Sequence, residues 1–419
     1  MTALLESNFS YAFPPVSLNG TKANDSNWIS VSPSSGSTPY NSDSATQLVF
    51  KIDSTSGFMR LNSCYLKFTV TPTASNAPAG ANTATNTYAG LATVINSISV
   101  KVGNTELRRV ENYPQLLALL YSSYNPTRQQ YINYAEAYGN TTALQGGQRI
   151  VTHSLQIPLF LSQAMLPLPV IANGIEIRIN FTPSAQVLTA AGTSPAVTGY
   201  QVTNASFNYE ESIPSPQYLQ AMLSKLEHGG VLHIPSLSIN SITQYCSGGS
   251  QNIFQLNVGN CNSISSILAT FVTDSAMNNQ AQDKALMFGS QGLASYHWEI
   301  GTDRIPKNKD IPYNGTGATF DPESLTLQTL STYGNVEGGQ RVYYQNANFD
   351  TQNFRLGLTF VSSDEVWGTG WSTLAGNGIV RLVTNHSGTI PSQSTKLVAF
   401  VFVDSMIDIA KDLIVYVER

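Results

Sequence analysis

The sequence predicts an all-β fold of two tandem lobes, each an antiparallel sandwich or jelly roll of about eight short strands. Three observations support this prediction. The chain has 419 residues, which is long for one hydrophobic core and enough for two. Short runs rich in β-branched and aromatic residues recur along it, as at 48–52 and 66–70. Features of the first half also return in the same order in the second half.

The segment 95–102 shows the strand pattern most clearly. Ile98, Val100 and Val102 alternate with Ser99 and Lys101. Side chains of a strand point alternately to its two faces, so this pattern places one face in a core and one toward solvent. The sequence therefore predicts a half-buried strand that ends at the turn-forming residue 103.

An internal duplication is indicated by features that recur with a slowly drifting offset. Insertions in loops produce such drift, whereas chance matches do not keep their order. The matched features are Leu66 and Leu268, Gly103 and Gly301, the Gly-Gly-Gln-Arg tetrapeptides at 146–149 and 338–341, and Tyr209-Glu210 with Tyr416-Val417-Glu418.

Composition and turn signals suggest how the chain is divided. Leucines at helical spacing after Pro114 predict a helix near 114–124, and Pro216 with Gly229 brackets a second helix at 217–227. We take this second helix as part of a connector, because it lies at the chain's midpoint. The predicted division is an N-terminal arm at 1–45, a first jelly roll at 46–211, a connector at 212–235 and a second jelly roll at 236–419.

Charge and cysteine content restrict the classes of function. Charged residues make up 11% of the chain and the net charge is −5, whereas ordinary domains carry about 25% charged residues. Bulk or sequence-specific nucleic-acid binding needs a basic patch, and Arg108-Arg109 is the only arginine pair, so we expect neither kind of binding. The three cysteines fit neither a zinc pattern nor a disulfide framework, so we expect reduced, buried thiols. Such thiols fit assembly in a cytosol. Residues 1–10 lack the pattern of a signal peptide, so we expect a soluble protein made without secretion.

Candidate catalytic and metal-binding residues form no convincing pattern. The histidines do not share the close spacing of metal ligands on one element. Gly289-Ser290-Gln291-Gly292 is not a nucleophile elbow. Adjacent carboxylates on a strand, such as Glu210-Glu211 and Asp364-Glu365, point to opposite faces. The sequence therefore predicts no enzyme, no cofactor and no catalytic, cofactor-binding or metal-binding residue. The histidines considered are His153, His228, His233, His297 and His386.

Three tyrosines follow the first predicted helix at helical spacing: Tyr131, Tyr134 and Tyr138. They could stack on a sugar. The alternative is that they pack a long loop against its own lobe or a neighbouring one, and this interpretation is favoured.

Two motifs resemble those of a known family. The first half carries Leu155–Leu161 in one-letter form LQIPLFL, followed by LPLP at 166–169 and an alternating strand at 174–179. The second half carries YHWEIG at 296–301, with Arg304-Ile305-Pro306 after it. In this combination the chain resembles the double jelly-roll major capsid proteins of certain tailless icosahedral phages, adenovirus-like viruses, virophages, polinton-like viruses and large DNA viruses of eukaryotes.

The resemblance implies two tandem eight-stranded jelly-roll barrels, with short helices in the loops and in the connector. It also implies a structural major capsid protein that forms pseudo-hexagonal homotrimers tiling an icosahedral shell. The implied partners are the chain itself, neighbouring capsomers, penton and minor capsid proteins, and an internal membrane reached through the N-terminal arm. The implied location is the virion, with assembly in the host cell cytoplasm or nucleus. The alternative is a carbohydrate-binding or receptor-binding β-sandwich protein of a virion or a secreted system.

Overall fold

The computed structural model describes most of both halves of the chain. The described residues are 26–34, 40, 47–55, 57–74, 82–84, 91–107, 109–121, 149–162, 164–187, 189–191, 197–277, 289–313, 354–360, 370–374, 378–390, 394–411 and 413–418.

In the described part of the first half, twelve strands lie before residue 213 and belong to the first lobe. They are β1 Ser26–Val31, β2 Leu48–Ile52, β3 Phe58–Arg60, β4 Tyr65–Ala74, β5 Asn82–Ala84, β6 Ile95–Val102, β7 Thr105–Glu106, β8 Arg149–Ser154, β9 Met165–Pro167, β10 Ile175–Phe181, β11 Thr189–Ala191 and β12 Val197–Ser212.

In the described part of the second half, ten strands lie after residue 231 and belong to the second lobe. They are β13 Leu232–Tyr245, β14 Gly249–Asn257, β15 Ile264–Thr273, β16 Leu293–Ile300, β17 Asp303–Ile305, β18 Ile311–Pro312, β19 Leu356–Thr359, β20 Ile379–Ile390, β21 Thr395–Ala410 and β22 Leu413–Glu418.

Helices are few and short in the described part of the chain. The α-helices are α1 Tyr113–Tyr121, α2 Pro158–Leu161, α3 Ser184–Val187, α4 Pro216–Glu227 and α5 Asp274–Met277, and the 3₁₀ turns are Leu61–Ser63, Leu91–Val94 and Leu168–Val170. The predicted helices at 114–124 and 217–227 correspond to α1 and α4. Helix α4 begins where the Ser215 hydroxyl accepts a hydrogen bond from the Tyr218 amide, and it ends before Gly229, whose φ is +83°.

Each lobe is a sandwich of two main sheets, all paired antiparallel. In the first lobe, sheet A has the order β1-β12-β4-β8, and sheet B has the order β2-β10-β6-β7. Strands β3 and β9 extend sheet A, and β5 pairs with β11. In the second lobe, sheet C has the order β13-β21-β15-β19, with β22 also paired to β21, and sheet D has the order β14-β20-β16-β17, with β18 also paired to β16.

The strand order is the same in the two lobes. Counting the eight principal strands of a lobe along the chain, one sheet contains the first, eighth, third and sixth, and the other contains the second, seventh, fourth and fifth. Eight antiparallel strands connected in this way form a jelly roll. The predicted all-β fold of two tandem jelly rolls is therefore confirmed.

The predicted division of the chain needs one correction at its N-terminal end. Residues 1–45 were expected to be an extended arm, yet Ser26–Val31 is strand β1 and pairs with β12 along its whole length. It supplies the first strand of sheet A. The sequence signal was weak because β1 is largely exposed and lies in a segment rich in serine and asparagine. The boundaries at 46, 212 and 236 stay predictions, although strand β13 begins at Leu232, within the range predicted as connector. Residues 1–25 lie outside the described part.

The matched features of the two halves have different outcomes. Gly103 and Gly301 both follow the fourth principal strand of their lobe and have φ of +60° and +61°. Leu66 and Leu268 lie on equivalent strands but on opposite faces: Leu66 points inward, and Leu268 points outward. The match of Tyr209 with Tyr416 is wrong, because β12 corresponds to β21 and not to β22. Most of both tetrapeptides lies outside the described residues.

Aromatic side chains fill the space between the sheets of each lobe. In the first lobe, Phe207 of sheet A packs on Phe50 of sheet B, with ring centroids 6.1 Å apart. In the second lobe, Phe271 of sheet C packs on Phe254 of sheet D at 5.9 Å and stacks on Phe354 at 5.7 Å. These contacts identify the inward face of each sheet, so the residues alternating with them point outward.

Candidate assembly surfaces and polar sites

The two lobes contact one another through a set of direct hydrogen bonds. The Glu111 amide donates to Ser241 Oγ at 3.2 Å, and Asn112 Nδ2 donates to Thr243 Oγ1 at 2.9 Å. Thr105 Oγ1 donates to the carbonyl oxygen of Ile414 at 2.6 Å. These bonds join the segment after β6 in the first lobe to strands β13 and β22 of sheet C.

Helix α1 occupies the junction between the lobes. Residues 113–120 are all buried, so no side of this stretch faces solvent. Gln115 Nε2 donates to Met277 Sδ at 3.8 Å, and Arg355 Nη1 donates to the carbonyl oxygen of Leu119 at 3.1 Å. A helix that is apolar on every side is stable only in a core, which explains why leucines occupy both sides of α1. The two lobes therefore share a continuous core at this point.

The centre of the outer face of sheet C is apolar and buried. Ser241 and Thr243 point to this face, since both bond to the first lobe, and their cross-strand partners Phe400 and Val398 share it. Leu268, opposite Phe400 on the next strand, completes the row. Phe400 and Leu268 have no exposed surface. The first lobe thus covers the face of sheet C that a free-standing sandwich would present to water.

The outer face of sheet A is open. Trp28 is 64% exposed and its ring lies 6.0 Å from that of Tyr65. Lys67 is exposed on the same face, and at the far edge Ile150 is 57% exposed. We name this surface, formed by Trp28, Tyr65, Lys67 and Ile150, the open face of sheet A. Large exposed apolar side chains beside polar ones are typical of protein interaction surfaces.

A polar cluster covers part of the outer face of sheet D. The Asp310 carboxylate accepts hydrogen bonds from Arg304 and from Asn385 Nδ2, the latter at 3.1 Å. His297 Nδ1 lies 2.8 Å from Asp310 Oδ1, and its Nε2 lies 3.3 Å from Glu299 Oε1. The segment after β16 folds back over its own strand, and Asp310 fixes it there. We interpret the cluster as structural, because each carboxylate oxygen of Asp310 already accepts a hydrogen bond.

The other histidines have separate structural partners. His153 is buried with its Nε2 2.8 Å from the Tyr113 hydroxyl. His228 Nδ1 donates to the Ser224 carbonyl at the end of α4, at 2.6 Å, and His233 Nδ1 lies 2.6 Å from Asp408 Oδ1. Burial lowers the pKa of His386 below its usual value of 6.5, partly offset by the bond from its Nδ1 to the Gln291 carbonyl.

The adjacent carboxylates of β12 point to opposite faces, as the strand pattern requires. Glu210 points outward and pairs with Arg60 at 3.1 Å. Glu211 points inward and accepts a hydrogen bond from Thr55. The missing Cβ of Gly57 makes room for the Glu211 side chain, since a Cβ there would lie 2.2 Å from its Cγ. The Asp364-Glu365 pair lies outside the described residues, as do Tyr131, Tyr134 and Tyr138.

The three cysteines are buried, each in a different part of the fold. Burial raises the pKa of the Cys64 thiol well above its usual range and that of Cys246 to about 11. Within the described residues no group of three or more His, Cys, Asp or Glu side chains could hold a metal ion. In the same part of the chain, no helix has the length and apolarity needed to cross a bilayer.

The turn at Gly289-Ser290-Gln291-Gly292 has an ordinary structural explanation. The Leu293 amide bonds to the Ser290 carbonyl at 3.1 Å, and Gln291 and Gly292 both have positive φ, +56° and +68°. It is a tight turn that leads into β16, and its serine is buried.

No family model and no curated protein sequence matches this chain. Solved structures do. A chain of the PBCV-1 virus capsid matches with a TM-score of 0.63 at 9% identity, over 95% of this chain and 98% of that one. The Faustovirus major capsid protein matches with 0.61 at 8%, over 98% of each chain. The mavirus major capsid protein matches with 0.51 at 12%, over 97% of this chain and 94% of that one.

This chain has the fold of these capsid proteins. The double jelly roll implied by the sequence motifs is therefore confirmed as a fold, across both lobes. The residues of the two motifs do not form the open face of sheet A. The proline-rich motif forms α2, β9 and the turn after β9, and the YHWEIG motif forms the end of β16, whose Trp298 is buried in the core.

Sequence reasoning did not find the open face of sheet A. Trp28 lay in the range expected to be an arm, and Ile150 looked like an ordinary strand residue. The available signal was a tryptophan within the short segment 26–31. Its position on the outer face follows only from the pairing of this segment with β12.

Proposed function

We propose that this chain is the major structural protein of an icosahedral virus capsid, where three copies form a pseudo-hexagonal trimer. The observation that carries this proposal is the match of both jelly rolls, in order and over nearly the whole chain, with proteins named as virus capsids. Three chains supply six lobes of one topology, and closed rings are the usual form of homo-oligomers.

The junction between the lobes supports a rigid building block. Helix α1 is buried between them, and the bonds at Ser241 and Thr243 fix the first lobe on sheet C. Two lobes held in this way act as one body, since separating them would expose the apolar outer face of sheet C to water. A rigid pair of similar lobes is suited to tiling a shell.

The surface composition supports permanent contacts with other proteins. Only 11% of the residues are charged, and charge is what keeps a free monomer from associating. The partners we propose are further copies of the chain, neighbouring trimers, and penton and minor capsid proteins. An internal membrane reached through the residues before β1 belongs to the same proposal, as does a location in the virion and the absence of enzymatic activity.

Mass measurement in solution tests the trimer. Light scattering after size-exclusion chromatography is expected to give three times the chain mass of 45.2 kDa, with no concentration dependence in the micromolar range. A monodisperse monomer across that range would contradict the proposal. Electron microscopy of the source then tests the shell: icosahedral particles composed mainly of this chain are expected.

The position of β1 determines how the N-terminal segment is tested. Deletion of residues 1–24 stops short of β1 and is expected to leave the trimer intact while blocking closure of the shell. Deletion of residues 1–40 removes a strand of sheet A, so it is expected to destabilise the first lobe as well. A shell that closes normally without residues 1–24 would exclude an essential role for them in assembly.

A further inference from the structure

Equivalent sheets of the two lobes differ in whether their outer face is covered. Sheets A and C contain the same strands in the same order, so their outer faces are equivalent surfaces of one topology. On sheet C this face is buried under the first lobe, and Phe400 is fully covered. On sheet A the same face carries Trp28 and Ile150, which are more than half exposed.

We infer that the second lobe of another copy covers the open face of sheet A. This inference rests on the proposed function and names the surface through which the trimer would form. Within one chain, the first lobe covers the outer face of sheet C. Repeating that contact between chains places the second lobe of one copy on sheet A of the next.

The geometry of this contact favours a closed ring. It is heterologous, because it joins a sheet face on one lobe to the turn that follows the fourth principal strand of another. Heterologous contacts form rings when the rotation closes and filaments when it does not. If the contact within a chain and the contact between chains rotate each lobe relative to the next by the same angle, first and second lobes alternate around one axis.

The residue composition of the two faces agrees with their different exposure to water before assembly. The outer face of sheet C is apolar, with Val398, Phe400 and Leu268, and the first lobe covers it within the same chain. The open face of sheet A mixes Trp28 and Ile150 with Lys67 and partly buried Tyr65. A surface that meets water before assembly needs polar groups around a few large apolar anchors, which is the composition of interfaces formed by already folded partners.

The complementary surface is identified by the same equivalence. In the first lobe, the turn at Gly103 leads to Thr105, which bonds to the Ile414 carbonyl of the second lobe. The equivalent turn of the second lobe contains Gly301, and the next residue, Thr302, is exposed. We therefore place the turn at 301–303 in the contact with the neighbouring copy.

A matched pair of exposed isoleucines provides the mutational test. Ile150→Lys places a charge on the open face of sheet A. Ile253→Lys, the control, places a charge on β14, an edge strand of sheet D, at a side chain that is 51% exposed. Ile150→Lys is expected to shift the protein from trimer to monomer, and Ile253→Lys to leave the trimer intact. Trp28→Ala is expected to weaken assembly by about 30-fold or more, as for an interface anchor.

Thiol labelling of folded trimer makes the test independent of mutational damage. Lys67→Cys and Thr302→Cys are expected to be protected from a maleimide in the trimer and to react when the trimer is diluted to monomer. Gln255→Cys, exposed on β14, is expected to react in both states. The native thiols are buried and give a low background.

The outcomes separate the inference from the proposed function. A wild-type protein that never forms a trimer contradicts the proposed function itself. A stable wild-type trimer in which Lys67→Cys labels as fast as Gln255→Cys overturns the inference and leaves the proposed function standing. Protection of Lys67→Cys and Thr302→Cys together, with reactive Gln255→Cys, supports it even if Ile150→Lys fails to fold.

Discussion

Gly103 and Gly301 occupy the same place in two different lobes. Each follows the fourth principal strand of its jelly roll, and each has a φ in the left-handed region, +60° and +61°. Only glycine adopts this conformation at little cost. The equivalence shows that the same turn requires the same backbone conformation in both jelly rolls.

Gly103→Ala is expected to destabilise the protein. The left-handed backbone costs about 1–2 kcal/mol for an L-residue. The new Cβ would also lie 2.7 Å from Ile414 Cδ1, at the contact between the lobes. Thermal unfolding is expected to begin several degrees lower than in the wild type. Gly388→Ala is the control, since a Cβ there meets nothing within 4 Å; an equal loss in both variants would contradict this explanation.

Tyr113→Phe is expected to cost about 1–3 kcal/mol of unfolding free energy, measured by denaturant titration. The hydroxyl is buried, accepts a hydrogen bond from the Gln156 amide at 2.8 Å and lies 2.8 Å from His153 Nε2. Removing it deprives two buried groups of this partner. Tyr245→Phe is the comparison, because that side chain is half exposed and water can replace its bond to Asp274. A loss no larger than for Tyr245→Phe would refute the expectation.

His386 is expected to make the protein less stable in mild acid. Its folded pKa lies below the unfolded value of 6.5 because burial disfavours the charged ring. Both states are neutral above that value, so there is no effect there. As pH falls below about 6.5 the unfolded chain binds a proton that the folded chain does not, and stability decreases until the folded pKa is reached.

The measurement compares unfolding midpoints of the wild type and His386→Gln at pH 7.5 and 5.5. The variant is expected to lose less stability over this interval than the wild type, whatever its stability at pH 7.5. Acid effects of carboxylates are common to both proteins and cancel in the comparison. Equal losses would show that His386 does not contribute to the acid sensitivity.

The cysteines are expected to be unreactive in the native protein. All three are buried, and burial raises the pKa of Cys64 and Cys246, so little thiolate is present near neutral pH. A thiol reagent at pH 8 is expected to label none of them rapidly in the folded state and all three in denaturant. Fast reaction of one equivalent with the native protein would contradict the burial of that thiol.

Local patterns allowed much of the fold to be predicted from sequence. Alternation at 95–102 predicted strand β6, helical spacing of leucines predicted α1, and proline and glycine at its ends predicted α4. The predicted solvent-facing side of β6 was wrong, because no residue of that strand is exposed. These elements depend on neighbouring residues in the chain. Strand β1 was not found, because an exposed edge strand has little apolar alternation and is defined by its pairing with β12, far away in sequence.

The surfaces depend on contacts that local patterns do not contain. Asp310 meets Asn385 across 75 residues, and Asn112 meets Thr243 across 131. Leu66 and Leu268 were matched in the correct strands but on the wrong faces, because a shift of one residue reverses the side of a strand. Sequence reasoning thus identified the kind of fold, whereas the faces available for assembly required the register of every strand.

The apolar outer face of sheet C has a consequence for any attempt to produce the second lobe as a separate protein. In the intact chain Val398, Phe400 and Leu268 are buried, so a second lobe cut from the chain would expose all three and would aggregate. A soluble single-lobe fragment would therefore require polar replacements at these positions.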